Sequence, residues 1–182
     1  PGFGGRHRPS EAWGGGEYAR FVQDFCTKLR ITPEILVGHS FGGRIALKGI
    51  AEELFHPRKL ILIGSAGFAK HRRVRNHLFT ALAKTGKALL FFYPASIQES
   101  FRRKLHQMAG SEDYLTAGAL KEAFLKVTRE DLTEAARAVK VPTLLIWGAN
   151  DTETPLSDGK RLHRLIPGSR LEVIEHTGHF VH

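Results

Sequence analysis

The sequence predicts an α/β fold in which helices cover a mainly parallel sheet of about four strands. Short apolar runs, typical of such strands, occur at residues 35–37, 59–63, 143–147 and 170–174. Helical patterns lie between these runs, as parallel strands require, because a chain needs a long crossover to return to the same end of a sheet. A basic interval at 67–139 separates the second run from the third and contains no convincing strand.

The predicted elements follow from hydrophobic periodicity. Residues 17–29 form a helix with one apolar face, since their apolar residues recur at i, i+3, i+4 and i+7. A second helix covers 41–54 and ends before Pro57, and another covers 157–165. Three of the strands are apolar throughout, as expected for strands covered on both faces, whereas 170–174 alternates like a strand nearer an edge. The residues of the first helical face are Tyr18, Phe21, Val22, Phe25, Cys26 and Leu29.

The predicted domain organisation is one core with an insertion. Residues 1–66 and 140–182 form the core, and residues 67–139 form a helical cap or lid with helical patterns around 74–90, 97–108 and 115–127. An insertion of this length is long enough to cover a site. Between Lys70 and Lys104 it has nine Lys or Arg and one Glu. We interpret this charge as a solvated helical face, because it lacks the interleaved aromatics of a nucleic-acid-binding surface.

Composition narrows the function classes. The chain has 182 residues, 42% of them hydrophobic, and a net charge of +9. No apolar run approaches the roughly 20 residues that cross a bilayer, so no membrane span is expected. The single cysteine, Cys26, rules out an internal disulfide and favours a reducing compartment, the cytoplasm. Metal-ligand and dinucleotide motifs are missing from the sequence, so no cofactor is expected. Oligomeric state is left open.

A serine occupies a distinctive turn after the first strand. Residues 38–42 read Gly-His-Ser-Phe-Gly, which fits the G-x-S-x-G pattern of a strand-to-helix turn that exposes a serine hydroxyl. Gly38 and Gly42 are expected to remove Cβ atoms that would clash where the strand and the helix nearly touch, and Gly43 adds a close-packing position. A simple bend or a phosphate cradle is the alternative, but neither common phosphate-loop pattern occurs.

Partners for Ser40 follow two later strands. A serine nucleophile needs a base and an acidic residue that orients the base. Asp151 follows the third strand and His179 follows the fourth. Because parallel strands end at the same edge of a sheet, Ser40, Asp151 and His179 are expected to meet there. The alternatives for the base and the acid are His39, which belongs to the turn itself, His176 and Asp158.

These motifs resemble those of the α/β-hydrolase family. The segments "GHSFGG", "WGANDTETP" and "HTGHF" match the family's nucleophile elbow, acid loop and late histidine, and "PGFGG" is similar to the segment after its fourth strand. The resemblance implies a helical cap at 67–139 and a serine nucleophile. It also implies that the backbone N–H of Phe41 contributes to an oxyanion hole, and that the sequence is a fragment without the family's N-terminal strands and last helix.

The expected function is hydrolysis of a small ester or related carbonyl compound by Ser40, Asp151 and His179 through an acyl-enzyme. The resemblance leaves carboxylic-ester and C–C bond hydrolysis open. A catalytically impaired binding module is the alternative, because the loop that supplies the second oxyanion donor is missing from the sequence, and an anionic-surface binder would rest on the basic cap alone. Strand 35–37 is expected to form an exposed apolar edge. Candidate pocket walls in the cap are Phe91, Phe92, Tyr93 and Phe101.

Overall fold

The computed structural model describes residues 11–68 and 121–182. Segments 1–10 and 69–120 lie outside the described residues, and so do the predicted pocket residues Phe91, Phe92, Tyr93 and Phe101. The elements in chain order are α1 (Gly15–Lys28), β1 (Ile35–His39), α2 (Phe41–Ala51), β2 (Lys59–Ile63), α3 (Lys121–Arg129), α4 (Thr133–Ala138), β3 (Thr143–Gly148), α5 (Leu156–Leu165) and β4 (Arg170–Ile174).

The four strands form a parallel sheet in the order β1-β2-β3-β4. This arrangement confirms the predicted α/β class. Gly38 of β1 lies opposite Leu62 of β2, and Ile63 lies opposite Ile146 of β3. The carboxyl ends of all four strands therefore lie at one edge of the sheet, which is where open α/β sheets place their sites.

The main core forms where helices pack against the central strands of the sheet. Leu62 and Leu145 from the central strands, Leu47 from α2 and Leu162 from α5 are fully buried. Trp147 of β3 is also fully buried, and its Nε1 donates a hydrogen bond to the Thr154 carbonyl at 2.8 Å. That bond connects the core to the loop after β3, so core packing fixes the position of the loop.

Helix α1 begins two residues earlier than predicted and buries only part of its apolar face. Gly14 N–H donates to Glu17 Oε2 at 2.8 Å, and hydrogen bonds from backbone amides lower the pKa of that carboxyl. Tyr18 of this helix is buried, but Phe25 is 54% exposed. Val37 of β1 is 57% exposed, as expected for an edge strand. The apolar face of α1 is therefore only partly buried within the described part of the chain.

Among residues 11–68 and 121–182, none of the helices has the length and apolar character needed to cross a bilayer.

Candidate active site

Ser40 lies in the turn between β1 and α2, with φ 50° and ψ −113°. A positive φ at a residue other than glycine costs about 1–3 kcal/mol and persists only when neighbours enforce it. Ser40 N–H donates to the Ile63 carbonyl at 3.0 Å, and the Ser40 carbonyl accepts from Ala66 N–H at 3.1 Å. Backbone hydrogen bonds to β2 and to the loop that follows it therefore hold the serine in its strained conformation.

The turn is compact because β1 and α2 cross at two glycines. A Cβ atom on Gly38 would lie 2.6 Å from Gly43 Cα, and a Cβ atom on Gly43 would lie 2.1 Å from Ser65 Oγ. Around Gly42, by contrast, no heavy atom of the described residues lies within 4 Å of such a Cβ. The predicted close-packing role is therefore confirmed for Gly38 and Gly43 and wrong for Gly42, because the helix turns Gly42 away from the strand.

Asp151 and His179 meet at the carboxyl edge of the sheet. His179 Nδ1 and Asp151 Oδ2 are 2.8 Å apart, and the two residues are 7% and 6% exposed. Asp151 Oδ1 accepts the backbone N–H groups of Glu153 and Thr154, both at 2.9 Å. A carboxylate at Nδ1 favours the tautomer with the proton on Nδ1, which leaves Nε2 free to accept a proton.

Thr154 and Gly64 complete this arrangement, although the sequence analysis did not select them. Thr154 Oγ1 lies 2.8 Å from Asp151 Oδ2 and 3.0 Å from the Gly64 carbonyl, so its proton can go to either acceptor. Gly64 has a φ of +45°, and a Cβ there would lie 3.2 Å from both Asp151 Oδ2 and His179 Nδ1. The Asp-x-x-Thr spacing is a usable signal, since Asp side chains commonly bond backbone groups two or three residues on.

Ser40 and Thr154 line a common cavity of about 420 Å³. Phe68, Phe124 and Val127 form an apolar part of its wall, the last two from α3. Phe41 also lines the cavity, and its N–H begins α2, where the first amides of a helix lack intrahelical acceptors. The residues that line the cavity therefore bring a hydroxyl, the start of a helix and an apolar surface to one small-molecule-sized space.

The alternative candidates for the base and the acid make other contacts than those of the Asp151–His179 pair. His39 Nε2 is 3.1 Å from the His179 carbonyl, so His39 contacts the histidine loop through its backbone. His176 is exposed in the turn after β4, with a φ of 58°. Asp158 lies in the first turn of α5 and lines the cavity. Within the described residues, no hydrogen bond joins Ser40 to His179, and His179 Nε2 lies 3.6 Å from Glu153 Oε2.

Comparison with known proteins identifies the family. The model of the "Alpha/beta hydrolase family" matches residues 1–182. The chain belongs to the α/β-hydrolase family. Among solved structures, an esterase from Exiguobacterium antarcticum is 25% identical to this α/β-hydrolase, with a TM-score of 0.67 over 98% of this chain and 72% of that one.

Curated relatives of this α/β-hydrolase are hydrolases. A 2-hydroxy-6-oxononadienedioate/2-hydroxy-6-oxononatrienedioate hydrolase of Comamonas testosteroni is 26% identical over 182 residues, covering 89% of this chain and 62% of that protein. A pimeloyl-[acyl-carrier protein] methyl ester esterase of Neisseria meningitidis is 29% identical over 163 residues, covering 81% and 63%. The chain thus spans less than two thirds of the length of these relatives.

Proposed function

We propose that this α/β-hydrolase is a serine hydrolase that cleaves a small carboxylic ester through an acyl-enzyme. The observation that carries the proposal is the buried Asp151–His179 pair, joined at 2.8 Å beside the loop that shares a cavity with Ser40. Buried acid–histidine pairs of this kind orient a general base. The esterases of Exiguobacterium antarcticum and Neisseria meningitidis support ester cleavage.

Acylation begins at Ser40. As Ser40 Oγ attacks the ester carbonyl carbon, His179 Nε2 takes its proton, and the Asp151 carboxylate stabilises the resulting imidazolium through Nδ1. The oxyanion of the tetrahedral intermediate accepts a hydrogen bond from the Phe41 N–H, at the positive end of α2. His179 then gives its proton to the leaving alcohol, and the acyl group stays on Ser40.

Deacylation repeats these steps with water. His179 takes a proton from water as the water oxygen attacks the acyl carbon, and the intermediate collapses to release the carboxylic acid and restore Ser40. Thr154 acts through Asp151, because its hydroxyl and backbone N–H both contact the Asp151 carboxylate and keep it aligned with His179 Nδ1.

Small substrates suit the cavity. Its volume of about 420 Å³ lies within the range of small-molecule sites, and its apolar wall fits a short acyl chain. C–C bond hydrolysis is the second candidate, supported by the likeness to the Comamonas testosteroni hydrolase. The helical cap at 67–139 and a cytoplasmic location remain sequence-based predictions within this proposal.

Turnover of p-nitrophenyl butyrate tests the proposal. We expect Ser40→Ala to lower kcat/KM by about 1000-fold or more, since the nucleophile and its base act as one unit. The control is Ser169→Ala, in the turn before β4. Unchanged turnover in Ser40→Ala would contradict a serine mechanism. Binding of the ester by wild-type protein without turnover would favour the impaired binding module instead.

A further inference from the structure

The loop that carries His179 follows β4, which lies at one edge of the four-stranded sheet, with β1 at the other. The start of this loop is held beside β3. Ala149 N–H donates to the Ile174 carbonyl at 3.0 Å, and Asn150 N–H donates to the Thr177 carbonyl at 2.9 Å. These bonds fix the loop as far as Thr177, so the backbone at its far end depends on other contacts.

His39, the last residue of β1, contacts this far end of the loop. Its Nε2 lies 3.1 Å from the His179 carbonyl, and because a carbonyl can only accept, Nε2 carries the proton and donates. Within the described residues this is the one hydrogen bond that joins the loop to β1. Ser40 follows His39 directly, so the contact connects the general base of the proposed mechanism to the strand that ends at the serine.

The imidazole of His39 also packs against three rings of residues 179–182. The distances between ring centroids are 4.8 Å to His179, 5.5 Å to Phe180 and 4.7 Å to His182. In the described part of the chain, His39 lies outside the set of residues that line the cavity with Ser40. His39 therefore contacts the general base and its neighbours without lining the space proposed for the substrate.

We propose that His39 is a positioning residue that holds His179 within reach of Ser40. Asp151 holds the imidazole at Nδ1, but a ring held at one atom can still swing about that bond. The bond from His39 fixes the backbone of the same residue on the side of β1. Because misplacing a catalytic group by about 1 Å can cost about 100-fold in rate, this second anchor matters for turnover. The inference rests on the proposed function, since it assigns His39 a part in activating Ser40.

Two substitutions of His39 separate the donor from the ring. His39→Phe keeps an aromatic ring and loses the donor, whereas His39→Gln keeps an amide N–H at a reach similar to that of Nε2. For p-nitrophenyl butyrate, we expect kcat to fall about 10-fold in His39→Phe, the size of one hydrogen bond, and to stay within about 3-fold of wild type in His39→Gln. KM should be unchanged, because His179 serves acylation and deacylation alike. The control His163→Phe makes the same exchange at an exposed histidine of α5 and should preserve kcat.

A double-mutant cycle tests whether His39 acts through His179. The readout is the rate at which a fluorophosphonate labels Ser40. His39→Phe should slow labelling about 10-fold in the wild-type background, but less than about 2-fold in His179→Ala, where no imidazole remains to be positioned. If His39→Phe unfolds, as judged by circular dichroism, His39→Asn takes its place, because its shorter amide cannot reach the carbonyl.

The outcomes separate the positioning role from the proposed function. Equal slowing in both backgrounds, wild-type kcat in His39→Phe, or a raised KM at unchanged kcat would overturn the role of His39 and leave the serine hydrolase in place. A His39→Gln protein as slow as His39→Phe would overturn it too, because the donor would then not matter.

Hydrogen exchange decides the matter if no ester is cleaved and no label is bound. The probe is the Nδ1 proton of His179 in the free protein, followed by NMR. Its exchange with solvent should be about 10-fold faster in His39→Phe than in wild type or His39→Gln, because the ring leaves Asp151 more often once its backbone is released. Equal exchange in all three proteins overturns the positioning role, whatever the activity of Ser40.

Discussion

The two halves of the candidate site are held in place by different means. Asp151 and His179 are buried, and their positions depend on side-chain hydrogen bonds that also involve Thr154. Ser40 is placed by the backbone alone, through its positive φ and its bonds to Ile63 and Ala66. We therefore expect substitutions in the acid–histidine half to lower both activity and folding stability, and loss of the serine hydroxyl to lower activity only.

The two variants Asp151→Ala and Ser40→Ala should differ most in their free energy of unfolding. Both should lower kcat/KM for p-nitrophenyl butyrate by about 1000- to 10,000-fold. Asp151→Ala should also lower the free energy of unfolding by about 2–4 kcal/mol, because it leaves buried amide, hydroxyl and imidazole donors unpaired. Ser40→Ala should change that free energy by less than about 0.5 kcal/mol. Urea denaturation of both variants measures the contrast, and equal losses of stability would remove the distinction between the halves.

The serine half should be sensitive to backbone crowding instead. Gly38→Ala places a Cβ against the backbone of Gly43, so we expect a loss of about 3 kcal/mol in the free energy of unfolding. Gly42→Ala is the matched control. No heavy atom of the described residues lies within 4 Å of its Cβ, which sits in the first turn of a helix, so alanine should be neutral or stabilising by up to about 1 kcal/mol. Denaturation midpoints that fall equally in both variants would contradict the crossing at Gly38 and Gly43.

A smaller effect is expected for the hydroxyl of Thr154, which contacts the acid of the acid–histidine half. Thr154→Val keeps the shape of the side chain but removes the hydroxyl at Asp151, so stability should fall by about 1–2 kcal/mol and kcat by about 10-fold. The exposed neighbour Thr152 provides the control, and Thr152→Val should stay within about 0.5 kcal/mol of wild type. Combined denaturation and ester kinetics check this, and a Thr154→Val protein with wild-type kcat would show that Thr154 does not align the acid.

Local signals predicted much of the fold and the candidate site. The four strands were recognised because short apolar runs are local, and Ser40, Asp151 and His179 were selected because each follows a strand. The spacing located the apolar face of α1 but not how much of it is buried, since the exposure of Phe25 depends on what packs outside the helix. Gly42 was assigned the wrong packing role because the helix rotation that selects Gly43 cannot be read from the motif.

Contacts between distant residues escaped the sequence analysis. Thr154 meets Gly64 across 90 positions, and Arg44 meets Glu130 across 86. No spacing rule connects residues so far apart, because their approach depends on sheet order and loop packing. The bond between the last residue of β1 and the histidine loop, across 140 positions, is likewise visible only once the strands are placed. Residues that support a site through long-range contacts are therefore harder to predict from the sequence than residues that belong to a local motif.

In the proposed mechanism, Ser40 is a nucleophile that His179 activates. The most direct measurement is covalent labelling by a fluorophosphonate, followed by peptide mass spectrometry. We expect a single labelled peptide carrying the adduct on Ser40, no labelling in Ser40→Ala, and labelling slowed about 1000-fold in His179→Ala. An adduct on another residue, or equal labelling rates in wild type and His179→Ala, would contradict the activation of Ser40 by His179.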